Sequence, residues 1–136
     1  MKNLQFNFNR SREAELRLPR HSKVDLNAVI MYEQIRSDRS GRDFAKLVFE
    51  CHGMKQAVIQ RLWTVIHSRV RCTDVVGWIP NLGIGIVLPE TSGEGAWKLA
   101  DDIHQLMNLP ARSLSCKVYN YPSMRFAPEL SSLAVE

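Results

Sequence analysis

Cysteine is scarce in this chain and odd in number: Cys51, Cys72 and Cys116 stand far apart and form no CxxC pair. That spacing fits neither a disulfide framework nor a cysteine-built zinc site, and a reducing compartment, the cytoplasm, is expected. Also missing is any apolar run near the ~20 residues that a bilayer crossing needs. The start, MKNLQFNFNRSREAEL, is too polar for a secretion signal. Internal repeats and low-complexity blocks are absent as well. With 136 residues, 45% of them hydrophobic, the chain has room for one core and not for two.

Acidic residues are in the minority, 14 against 18 Lys and Arg, for a net charge of +4. The excess gathers early, at Arg10, Arg12, Arg17, Arg20 and Lys23, with only Glu13 and Glu15 among them. Such a cluster suits phosphates of nucleic acid or an anionic membrane. No aromatic side chains are interleaved to stack on bases, so a solvated lead-in is the preferred reading and a nucleic-acid-binding module the lesser alternative. Leu4, Phe6 and Phe8 alternate and suggest a short strand or docked arm.

Ser22 and Asp25 resemble a capping box, and Val24, Ala28, Met31 and Ile35 follow at helical spacing, predicting a helix over 22–38 that ends at Ser40-Gly41. In DFAKLVFECH, Ala45, Leu47, Phe49 and Cys51 share one face and Val48 the other, the mark of a largely buried strand. A broad apolar stripe through Val58, Ile59, Leu62, Trp63, Val65 and Ile66 predicts a helix from Met54 to Val70. Residues 73–79 and 83–88 read as two strands of a hairpin around Pro80-Asn81-Leu82, with Gly83 and Gly85 marking a bulge or a close backbone approach. Thr91 and Glu94 suggest a second capping box, opening a helix that buries Ala96, Leu99, Ala100, Ile103 and Met107 and stops near Leu109-Pro110. SLSCKVYNY closes the series as a strand. After the first helix the order is βαββαβ. Right-handed crossovers turn that order into an α+β, ferredoxin-like split βαβ, an antiparallel sheet with helices on one face. The expected organisation is a basic lead-in over 1–21, the domain over 22–120, and a tail or linker over 121–136.

Several residues invite a chemical reading. Arg71 closes a helix, where a cation is favourable, and Asp74 lies three residues on, where it can pair with it. Cys51, His52, His67 and Cys72 raise a zinc site, but Cys51 and His52 are strand neighbours that point to opposite faces. Gly93 and Gly95 open a helix, yet no Lys or downstream acid completes a nucleotide fingerprint. No metal and no cofactor is therefore expected. Among the large side chains, Trp63 is expected in the core, while Trp78 and Trp97 are candidate anchors for a protein partner if exposed.

The stretch Arg71-Cys72-Thr73-Asp74, five residues, then Pro80-Asn81-Leu82-Gly83-Ile84, then a strand ending in Leu88-Pro89, resembles the GGDEF domain of bacterial diguanylate cyclases. EQIRSDRSGRDFAKLVFEC is similar to that family's lead helix, turn and first strand, and GAWKLADDIHQLM to the helix after its hairpin, so residues 22–120 are covered. The resemblance implies metal-binding acids on the first strand and in the turn, and a guanine-binding Asn-Asp insertion before the next helix. Here Glu50 keeps one carboxylate position, His52 replaces the next acid, Leu82 and Gly83 stand where the turn acids belong, and the insertion is missing. Two divalent metals cannot be organised by one carboxylate, and Pro80 has no N–H for a phosphate.

No cyclase activity is expected. Degenerate segments of this kind look similar to ones that precede bacterial sugar transferases of exopolysaccharide synthesis. The resemblance thus implies an inactive regulatory or interaction domain in bacterial signalling, acting on a protein partner or a fused enzyme, with a homodimer as a further candidate. Its product site, an RxxD pair, maps onto Arg71 and Asp74 and implies cyclic di-GMP as the alternative ligand. Chemically, Arg forks onto guanine O6/N7 and Asp accepts from guanine N–H groups. Trp78 stands where the family usually has an Arg.

Overall fold

The structure, a computed structural model, describes residues 24–110 and 113–122. The basic cluster through Lys23 and the Leu4, Phe6, Phe8 alternation lie outside the described residues.

Helix α1 (Leu26–Ser40) is followed by strand β1 (Phe44–Glu50), helix α2 (Gln56–Arg69), strands β2 (Val75–Ile79) and β3 (Gly83–Leu88), helix α3 (Gly93–Met107) and strand β4 (Ser115–Tyr121). The four strands order as β2-β3-β1-β4 with every neighbouring pair antiparallel. This is the expected α+β, βαββαβ arrangement.

The main core lies between the sheet and the α2–α3 pair. Ala45, Leu47 and Phe49 of β1 and Ile84, Ile86 and Leu88 of β3 meet Ile59, Leu62 and Ile66 of α2 and Ala96, Ala100, Ile103 and Met107 of α3. Period two on the strands and period 3.6 on the helices put these residues on facing surfaces. Arg61 of α2 donates to the Met107 carbonyl, binding one helix to the C-terminal end of the other. Asn108, left-handed at φ 55, ends α3 just before Leu109-Pro110.

On the opposite sheet face a smaller cluster forms around Leu26, Phe44 and Val87, with Val29, Ile30, Val75, Ile79 and Tyr121 against it. Gly77 of β2 and Gly85 of β3 are cross-strand partners there, and Leu26 rests over both. Gly83 makes the closer approach: a Cβ at that position would stand 1.9 Å from the Phe49 carbonyl oxygen.

The helix starts differ from expectation, α2 beginning at Gln56 rather than Met54. α1 is capped by Asp25, whose carboxylate accepts from the Ala28 N–H at 3.3 Å, and it runs to Ser40 with left-handed Gly41 closing it. It thus covers Leu26–Ser40 rather than 22–38, because a carboxylate closer to the first turn takes the capping role. α3 is capped by Ser92, which accepts from Gly95 N–H at 3.1 Å. Thr91, the expected cap, is drawn aside by its own hydrogen bonds to Pro89 and Arg71.

The face of α1 also differs. Met31 and Ile35, expected inward, are 63% and 56% exposed, and Ala28 and Val24 are exposed beside them. Leu26, Glu33 and Ser37 are buried instead. Polar groups are tolerated inside because each has a partner: Ser37 donates to the Arg42 carbonyl at 2.6 Å, and Glu33 accepts from Arg36 at 3.3 Å.

Candidate functional site

Two places carry the sequence motifs: the hairpin cleft between β1 and the β2–β3 turn, and the junction from α2 into β2.

The cleft has a volume of about 570 Å³, and its walls include Cys51, His52, Met54, Trp78, Pro80 and Leu82. The turn is tight. Leu82 N–H donates to the Ile79 carbonyl at 3.1 Å, Asn81 takes a left-handed φ of 64, and the Leu82 carbonyl accepts from Cys51 N–H at 2.9 Å. A short side chain with a polar end tolerates that φ, and Asn is such a residue. Among the described residues no carboxylate lines this cleft.

Glu50, the nearest acid on β1, is turned to the neighbouring strand. Its oxygens meet Lys117 Nζ at 2.9 Å and accept from Ser115 at 3.3 Å. One carboxylate beside the cleft, already held by a lysine, is a poor match for a hard divalent ion, which takes several oxygen ligands. Among the described residues no three His, Cys, Asp or Glu side chains gather as a metal site. Cys51 is buried and His52 exposed, but they lie past the end of β1, His52 in a turn, so they are not the strand neighbours expected, and both reach the cleft wall.

At the junction, Arg71 and Asp74 meet directly. Arg71 donates through its backbone N–H (2.7 Å) and Nε (3.3 Å) to Asp74 Oδ2, and through Nη2 to Oδ1 (2.8 Å). The same Nη2 reaches the Pro89 carbonyl at 3.0 Å and Thr91 Oγ1 at 2.8 Å. One guanidinium thereby ties the end of α2 to the β3–α3 connection. The Asp74 side chain is 2% exposed and that of Arg71 54%. Hydrogen bonding to Asp74 raises the Arg71 pKa above its ordinary value, against a smaller opposing effect of burial.

Beside this junction Glu90, at a positive φ of 51, receives Arg42 at 3.0 Å and Arg36 at 3.8 Å. The sequence gives no site role to Glu90, and none to Thr91 as a partner of Arg71. The one local signal was that Thr91 and Ser92 are adjacent and only one of them can cap α3.

The tryptophans separate. Trp63 and Trp78 are partly buried against the main core, whereas Trp97 on α3 is 37% exposed. Of the cysteines, Cys72 is exposed and Cys51 and Cys116 are buried, and burial pushes the Cys116 thiol up to about 12. Among the described residues no helix is long and apolar enough to cross a membrane.

No protein-family model matches the chain, and no curated protein sequence does. Solved structures do resemble it. The chain is similar to the GGDEF domain of TpbB (YfiN) from Pseudomonas aeruginosa, in an N-terminally truncated form, with TM-score 0.63 and 19% identity over 73% of this chain and 70% of that one. A second structure of that domain gives TM-score 0.57 and 21% identity over 81% and 74%. The active GGEEF domain of a diguanylate cyclase from Vibrio cholerae gives 0.55 and 18% over 65% and 69%. The central hairpin with Arg71 before it, and the β2-β3-β1-β4 sheet that carries both, are accordingly set in the GGDEF-domain fold.

Proposed function

We propose that this chain is a catalytically silent GGDEF-fold module that regulates a partner protein or fused enzyme in bacterial signalling, including control of exopolysaccharide synthesis. The observation that carries this reading is the cleft: Pro80, Leu82 and Trp78 line the place where phosphate and metal would be held, and Glu50 is committed to Lys117. These three apolar side chains cannot replace the hydration of a nucleoside triphosphate and its metal. Trp97, 37% exposed on α3, supplies an anchor of the type that partner interfaces use.

The test is direct. The purified chain, incubated with GTP and magnesium or manganese, forms no cyclic di-GMP, and product above the no-protein control would overturn the proposal.

Cyclic di-GMP binding through Arg71 and Asp74 is the second reading. Half of the Arg71 side chain faces solvent, which favours it. Against it, the fork already serves Asp74, Pro89 and Thr91, so a guanine must displace bonds rather than meet empty donors. Calorimetry with cyclic di-GMP, using Arg71→Ala as control, decides between the readings, since heat that vanishes in the variant is expected only of a receptor.

A further inference from the structure

Leu26, Glu33 and Ser37 take the inward side of α1, so Val24, Ala28, Met31 and Ile35 line the side that points away from the sheet. Met31, Tyr32 and Ile35 are 63%, 62% and 56% exposed there. Contiguous apolar surface of this kind marks an interaction site. The charges beside the stripe are segregated along the helix. Asp25 stands at its start and Arg36 and Arg39 at its end, all on the flank that Tyr32 occupies. Asp38 lies on the other flank, where it accepts from the Tyr121 hydroxyl at 2.9 Å.

We propose that this face binds a second copy of the chain, the two α1 helices lying antiparallel about a two-fold axis at Met31 and Tyr32. The choice of occupant rests on self-complementarity. Reversing the helix sets Ala28 of one copy against Ile35 of the other, and Met31 against Tyr32, so apolar meets apolar along the stripe. Like flanks meet in such a pair, and Asp25 of each copy then faces Arg39 of the other. Asp25 spends Oδ1 on the Ala28 N–H, and its second oxygen can receive the guanidinium. Parallel helices would instead crowd Arg36 and Arg39 of both copies at one end and align their dipoles rather than oppose them. Size sets the strength: α1, with 15 residues, is about 22 Å long, so one helix pair falls at the low end of specific interfaces, below about 1,200 Å². The dimer is accordingly reversible and forms as concentration rises. This inference goes beyond the regulatory reading and does not depend on the hairpin cleft.

Sedimentation equilibrium of the full chain over roughly 1 µM to 1 mM is expected to show monomer giving way to dimer. Met31→Asp with Ile35→Asp, both at exposed positions, is expected to weaken the dimer about tenfold or more, as losing two apolar contacts requires. Arg39→Glu, which makes both Asp25 contacts repulsive, is expected to weaken it about threefold or more. Orientation is read by cross-linking. With the exposed Cys72 replaced by Ser, copies carrying Ala28→Cys are mixed with copies carrying Ile35→Cys and oxidised, and the 28–35 disulfide is expected to dominate. A chain that stays monomeric throughout, because another segment or a foreign partner takes this face, would overturn the proposal. So would a dimer indifferent to the Met31 and Ile35 substitutions or to Arg39→Glu, or one that links mainly 28 to 28 and 35 to 35.

Discussion

Leu26 sits directly on Gly85: a Cβ placed on that glycine would come within 2.7 Å of Leu26 Cδ1 and 2.8 Å of Ile79 Cδ1. The first helix can lie this close because two paired strands offer bare backbone at Gly77 and Gly85. Both obstacles are ends of flexible side chains, so Gly85→Ala is expected to cost about 1–3 kcal/mol, the usual range for overpacking. At Gly83 the obstacle is the Phe49 carbonyl itself, 1.9 Å away. Backbone cannot rotate aside, so Gly83→Ala is expected to cost more, about 3 kcal/mol or above. Urea unfolding of the two variants checks the order, and equal midpoints would contradict it.

The Arg71–Asp74 pair should couple far more strongly than the pairs around Glu90. Asp74 is almost fully covered, and truncating Arg71 strands its carboxylate with only the Arg71 backbone N–H remaining. A double-mutant cycle with Arg71→Ala and Asp74→Ala is expected to give about 1–3 kcal/mol. The Arg36–Glu90 contact, 3.8 Å long between half-exposed side chains, is expected to give under about 0.5 kcal/mol. Chemical denaturation of both cycles measures the contrast.

Cysteine reactivity offers an independent reading of the core. Iodoacetamide at neutral pH is expected to label Cys72 first, leaving Cys51 and Cys116 protected until the chain unfolds. Because burial raises the Cys116 thiol from 9.0 to about 12, the folded state holds this proton longer than the unfolded one. Its contribution to stability is full below pH 9.0 and is lost as pH rises toward about 12. Cys116→Ala should therefore show a shallower loss of stability over that window than the parent chain. Parallel slopes would remove the assignment.

Ser92, not Thr91, holds the first turn of α3. Ser92→Ala is expected to destabilise by about 1 kcal/mol through loss of the cap. Glu94→Ala should be close to neutral, since the exposed Glu94 is not the partner of a capping Thr91. Thermal melts of the two variants decide this, and a larger effect at Glu94 would restore the capping-box reading.

Most of the sheet and its helical layer could be read from periodicity. Ala45, Leu47 and Phe49 alternate as a strand must, and Leu62, Ile66, Ala96, Ala100 and Ile103 recur as helices must, because each packs on a large apolar partner. α1 was misread for the same reason. Its strongest apolar stripe is not the face that packs, since the surface beneath it is a glycine pair that admits Leu26, with Glu33 and Ser37 held inside by arginine and backbone partners. In the candidate site, the separation of Arg71 and Asp74 was visible as a spacing. What Arg71 does with its remaining donors was not, because Pro89 and Thr91 lie far along the chain and approach only through folding.

The position of β1 in the middle of the sheet has a consequence for synthesis. Phe49 must pair with Ile84 on one side and Cys116 on the other. On the ribosome this strand emerges early and waits, both edges open, while some seventy further residues are made. The β2–β3 hairpin closes locally and can shield one edge at once, but the other stays open until β4 clears the exit tunnel. During that interval a central strand that ends up largely buried still has an unpaired edge, and this is a stage at which a nascent chain is exposed to mispairing and served by a chaperone.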